Sequence, residues 1–214
     1  MSRRTVLVHS GIADPGMWDG FELPGELRRH HLENDLADTF GGQPAALVGA
    51  SYGGLVSLDF AARHPELVSA LVVLDAPLPD HDWSDPDYLA YAEEEERLFE
   101  AGDLDAVTEL DLSYWAPGLA DRLRPMARRA VEFDVPEVEA VDLAAVHMPA
   151  LVLVGEHDKP DFRAIAERLA RDLPNAELEV VPGAGHLPSM ERPEFTAELV
   201  KSFLEPESQA LGSP

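Results

Sequence analysis

The chain has 214 residues, 45% of them hydrophobic, enough to bury the core of one domain or of one domain with an insertion. Its 41 acidic against 16 basic residues leave a formal net charge of −25, which argues against nucleic acid and anionic membrane surfaces as partners. The absence of cysteine excludes disulfides, thiolate chemistry and cysteine-based metal sites.

Only four apolar residues precede His9, too few for a secretion signal, and no run approaches the roughly 18 apolar residues of a membrane span. The expected location is therefore cytoplasmic. In chain order, continuous runs rich in Val and Leu at 5–8, 45–48, 71–74, 151–154 and 178–181 read as strands buried on both faces. Helical patterns at 26–40, 55–64, 162–171 and 193–204 lie among them. This alternation predicts an α/β fold with a trimmed, mainly parallel sheet of about five strands, or six, flanked by helices. Residues 78–148 break it, with helical stretches at 87–101, 104–114, 119–133 and 138–146 and no strand signal. They predict a helical lid over the carboxyl edge of the sheet, which divides the core into 1–77 and 149–205. The acidic run from Glu93 to Glu96 reads as a solvated helix face, and 206–214 as a disordered tail.

The pentapeptide Gly49-Ala50-Ser51-Tyr52-Gly53 stands between a strand and a helical pattern. This is G-x-S-x-G in the context that lifts a serine hydroxyl out of a sharp turn at the top of a sheet. Side chains at 49 and 53 would collide with the flanking elements. A serine nucleophile needs a base within reach and a group to orient that base. Two later loops at strand carboxyl ends, Gly155-Glu156-His157-Asp158 and Gly183-Ala184-Gly185-His186, supply them. The order Ser51, Asp158, His186 is the one associated with this turn. Asp75, at the end of the third strand run, is the rival carboxylate; Asp158 is preferred. His9 reads as a brace of its loop, and His30 and His31 as solvated positions on a polar helix face. Neither the histidines nor the glycine pairs form a metal or dinucleotide signature, so no cofactor is expected.

These motifs, together with Leu7-Val8-His9-Ser10-Gly11 and the trailing Glu191-Arg192-Pro193, resemble the α/β-hydrolase superfamily over most of residues 5–204. The likeness is to small bacterial members similar to 3-oxoadipate enol-lactonase. It implies Ser51 as nucleophile, His186 as general base and then acid, and Asp158 as the orienting carboxylate. The Tyr52 N–H would be one oxyanion donor. The family's second donor follows His-Gly; here His9-Ser10-Gly11 makes Gly11 the choice, with Ile12 as fallback. Trp18 and Trp115 are candidates for lining the acyl pocket. The resemblance also implies a strand and helix between the first strand and the serine, for which this chain leaves about 40 residues, scarcely one crossover. The expectation is that this strand is lost, with residues 21–25 its relic and an exposed first-strand edge that favours a homodimer. The expected function is hydrolysis of a small-molecule ester or lactone through an acyl-enzyme. The alternative is a ligand-binding or catalytically impaired relative with a trimmed scaffold.

Overall fold

The computed structural model describes residues 4–133 and 135–205; the tail predicted at 206–214 lies outside them. Six strands form one sheet: β1 (Arg4–Val8), β2 (Glu26–His30), β3 (Ala45–Ala50), β4 (Val68–Leu74), β5 (Ala150–Gly155) and β6 (Ala176–Val181). Their order is β2-β1-β3-β4-β5-β6, with every neighbouring pair parallel. The helices are α1 (Leu36–Phe40), α2 (Tyr52–Arg63), α3 (Pro86–Glu100), α4 (Leu104–Trp115), α5 (Ala120–Ala130), α6 (Pro160–Asp172), α7 (Pro188–Glu191) and α8 (Pro193–Leu204).

Every residue of β3 and β5 is buried, as strands covered on both faces require. Successive side chains enter opposite layers. Leu47, Val73 and Val152 join Leu58 of α2 and Ile165 of α6 on one face. Val48, Val72 and Leu153 join Val200 of α8 and Leu123 of α5 on the other. Between β4 and β5 the chain forms α3, α4 and α5, close to the predicted helical stretches. The exception is 138–146, which has no regular structure apart from a single 3-10 turn at Leu143–Ala145.

The predicted helix over 26–40 is corrected. Glu26–His30 is the edge strand β2, paired in register with β1 from Arg4↔Glu26 to Val8↔His30, and only the short α1 follows. Leu32, Leu36 and Phe40, all buried and four residues apart, imitate a helical period here. Leu32, however, lies in the turn before α1. The strand escaped notice because an edge strand needs little apolar surface: of Glu26–His30 only His30 is buried. Residues 21–25 therefore lead into a strand and are no relic of a missing one. The sheet has six strands, and the edge of β1 thought to invite a second copy is covered by β2.

Because all six strands run the same way, their carboxyl ends bring His9, Ser51, Asp75, Asp158 and His186 to one edge of the sheet. After β1 the chain steps outward to β2 and returns to β3 on the far side of β1. Such a switch point is where open α/β sheets hold their ligands. Close packing there is unforgiving: a Cβ at Gly155 would stand 1.9 Å from the carbonyl oxygen of Gly185. Gly155→Ala is expected to cost about 3 kcal/mol, lowering the thermal midpoint by roughly 6–12 °C. Gly118→Ala, whose added carbon meets nothing within 4 Å, is the matched control in the same melting experiment.

Candidate active site

Ser51 sits between β3 and α2 with φ 52° and ψ −123°, a left-handed backbone that costs a non-glycine residue energy. Its N–H is held by the Leu74 carbonyl of β4 at 2.7 Å. The flanking glycines make the turn sterically feasible. A Cβ at Gly49 would lie 2.3 Å from the Gly53 carbonyl oxygen, and one at Gly53 would lie 2.2 Å from that of His9.

The Ser51 hydroxyl lies 2.9 Å from Nε2 of His186. The other ring nitrogen, Nδ1, lies 3.1 and 3.0 Å from the two carboxylate oxygens of Asp158. The side chains of His186 and Asp158 are 3% and 0% exposed. Trp115 and Phe162 pack on the imidazole, with ring centroids at 4.4 and 4.6 Å, and so restrict its rotation. Burial opposes ionisation of Asp158, yet the facing His186, the neighbouring Asp75 and the N–H of Lys159 hold its carboxyl below the usual range.

Asp75 stands behind Asp158 and makes no hydrogen bond to His186. Its Oδ1 accepts from the Gly155 N–H at 2.9 Å, and no donor reaches Oδ2. Complete burial, and then the charge of Asp158, push its carboxyl well above the ordinary range. The neutral form of Asp75 is thereby favoured beside the carboxylate of Asp158. Asp75, Asp158 and His186 bring possible ligand atoms within 4.8 Å of one another.

The loop after β1 forms the opposite wall. His9 is fully buried, its Nδ1 2.8 Å from the Ser10 carbonyl and its Nε2 accepting from the Leu32 N–H at 3.2 Å. Burial keeps this imidazole neutral by lowering its pKa to about 4. It ties the loop to the segment after β2. Ile12 turns its N–H toward the Ser10 hydroxyl at 3.5 Å, whereas the N–H groups of Gly11 and Tyr52 meet no protein acceptor among the described residues. Both residues border a cavity of about 190 Å³ that also touches Ser51, His186, Trp115 and Phe162. A larger hollow of about 450 Å³ opens on the other side of Trp115 and His186, beside His157 and Lys159. It does not touch Ser51, so the smaller cavity is the one relevant to the serine.

The two candidate tryptophans part company. Trp115 borders the cavity, but Trp18 is fully buried against Phe21 at 5.2 Å and lies in the core, away from the cavity lining. His30 is not on a solvated helix: it ends β2, buried, with Nδ1 2.9 Å from the Thr39 hydroxyl. Glu95, placed on a solvated face by the acidic run, borders the cavity with Tyr88 and Tyr91. Spacings of three and four residues put these side chains on one face of α3, a signal present in the sequence. Sequence reasoning also passed over Asp161 at the start of α6. Its carboxylate accepts from Ser84 N–H at 3.0 Å, Ser84 hydroxyl at 3.1 Å and Asp85 N–H at 2.9 Å, fastening the entry to α3 onto the core. Burial opposes its ionisation, but these donors hold its carboxyl below the usual range.

Residues 11–199 match the alpha/beta hydrolase family. A carboxylesterase of Bacillus subtilis (strain 168) is 30% identical over 188 residues, covering 79% of this chain and 60% of the relative. The chain thus spans somewhat less than two thirds of that protein's length. A 2-hydroxymuconate semialdehyde hydrolase of Pseudomonas putida is 31% identical over 193 residues, covering 83% of this chain and 68% of the relative. Among solved structures, the enol-lactonase of Burkholderia xenovorans LB400 superposes with a TM-score of 0.70 at 20% identity, covering 95% of this chain and 92% of that one. That likeness shows the fold, which agrees with the parallel sheet and the serine turn described above. The chain belongs to the alpha/beta hydrolase family.

Proposed function

We propose that the chain is a serine hydrolase of small carboxylic esters or lactones, with α3, α4 and α5 as a lid over the cavity beside Ser51. The observation that carries this reading is the continuous path from the Ser51 hydroxyl through both nitrogens of His186 to Asp158, with contacts of 2.9, 3.0 and 3.1 Å. Carboxylesterase and enol-lactonase relatives support the substrate class. The cavity of about 190 Å³ suits a small substrate, since pockets for drug-sized ligands hold roughly 300–1,000 Å³.

In this mechanism the Ser51 oxygen attacks the carbonyl carbon as Nε2 of His186 takes its proton. Asp158 keeps the imidazole oriented and stabilises its cationic form. The carbonyl oxygen becomes an oxyanion, received by the N–H groups of Gly11 and Tyr52. His186 then gives its proton to the departing alkoxide, leaving an acyl group on Ser51. Water, deprotonated by His186, attacks that ester, and collapse releases the carboxylic acid and returns the proton to Ser51.

A fluorophosphonate probe tests the reading directly. Expected is one probe per chain, recovered by mass spectrometry on the peptide carrying Ser51. Labelling on another residue, or none with the folded protein, would overturn it.

A further inference from the structure

Aromatic rings from the insertion and from α6 line one side of the cavity. Trp83, Tyr88, Tyr91, Trp115 and Phe162 border it. Trp83 stacks on Tyr88 at 4.2 Å, Tyr91 meets Trp115 edge-on at 5.2 Å, and Trp115 meets Phe162 at 5.4 Å. One carboxylate interrupts this wall: Glu95, a single turn beyond Tyr91 on α3. Among the described residues no lysine or arginine borders the cavity. Lys159 is turned outward, its ammonium 4.0 Å over the Tyr114 ring beside the larger hollow.

Glu95 is half-buried, and its polar neighbours are Tyr91 and Asp111. The Tyr91 hydroxyl donates to Oδ1 of Asp111 at 2.7 Å, and Asp111 is itself buried. Burial raises both carboxyl groups, that of Asp111 to about 7, while their contact raises Asp111 and lowers Glu95, so that Glu95 carries the negative charge of the pair. Among the described residues no basic side chain offsets that charge. A carboxylate at an apolar wall is costly to keep without a counter-charge. The matching ligand group is a cation, which aromatic rings also attract through their quadrupoles.

We infer that this cavity selects small esters that carry an ammonium group, held by Glu95 and the surrounding rings while the ester carbonyl meets Ser51. The inference rests on the serine-hydrolase reading and adds the charge of the substrate. Esters bearing a carboxylate are disfavoured, repelled by Glu95 and by the net charge of −25.

The test compares charged esters with neutral carbon isosteres. Acetylcholine is set against 3,3-dimethylbutyl acetate, placing the cation in the alcohol. The methyl ester of trimethylglycine is set against methyl 3,3-dimethylbutanoate, placing it in the acyl group. The ratio of kcat/KM within each pair is measured for the native chain and for Glu95→Gln, so that intrinsic ester reactivity cancels between the two proteins. In at least one pair the ratio is expected to fall by about tenfold or more in the variant. Tetramethylammonium is expected to inhibit neutral-ester hydrolysis by the native chain competitively, a measurement that stands even if Glu95→Gln does not fold. Ratios unchanged by the substitution in both pairs, or no inhibition by tetramethylammonium, overturn the inference. Hydrolysis that depends on Ser51 but shows no charge preference overturns this inference alone. Absence of any Ser51-dependent ester hydrolysis overturns the serine-hydrolase reading as well.

Discussion

Ser51→Ala is expected to lower kcat for short p-nitrophenyl esters by about 10⁵- to 10⁶-fold. In the proposed mechanism the acyl-enzyme is built on this hydroxyl, with His186 at 2.9 Å as its base. Without that hydroxyl, covalent catalysis is lost outright. What remains in that mechanism is the oxyanion stabilisation proposed for Gly11 and Tyr52 together with substrate binding. His186→Ala is expected to lose nearly as much, and the double variant little more, because the pair acts as one unit. Circular dichroism and thermal melting should be close to those of the native chain, since alanine keeps the turn and its N–H bond to Leu74. Steady-state kinetics within tenfold of the native chain would remove Ser51 from the mechanism.

The second expected result separates the two carboxylates. Asp158→Asn should lower kcat by about 10⁴-fold, while Asp75→Asn should lower it by about tenfold or less. The reason lies in which protons each group handles. Asp158 accepts the Nδ1 proton of His186 at 3.0–3.1 Å. An asparagine amide in its place favours the other tautomer and leaves Ser51 without a base. Asp75 is favoured in its neutral form behind Asp158, and its Oδ1 accepts from Gly155. Asparagine is likewise neutral and keeps the Gly155 contact through its carbonyl. Kinetics of the two variants in parallel decide the matter: a larger loss at position 75 than at 158 would assign the orienting role to Asp75.

Much of the candidate site was legible because it depends on short-range sterics. The glycines at 49 and 53 mark the serine turn, since a side chain there would strike backbone within 2.3 Å. Asp158 and His186 follow strand-like runs whose carboxyl ends must share one edge in a parallel sheet. Strand β2 was not legible. As an edge strand it buries little, and the four-residue spacing of Leu32, Leu36 and Phe40 imitates a helix across a turn. Nothing in the sequence separated Trp18 from Trp115 as candidates for lining the pocket. Their difference comes from packing: one is sealed against Phe21, the other laid against His186. Glu95 was hidden inside a run of four glutamates because the direction it faces depends on how α3 docks.

The amino-acid sequence by itself determined the alternation of strands and helices, the serine turn and the chain order of Ser51, Asp158 and His186. Each follows from backbone sterics or hydrophobic spacing within a few residues. Tertiary structure alone decided that a sixth strand flanks β1, that Asp158 meets His186 with Asp75 behind it, and that Glu95 faces the cavity. These outcomes depend on distances between segments far apart in the chain, and only the packing of helices on the sheet sets such distances.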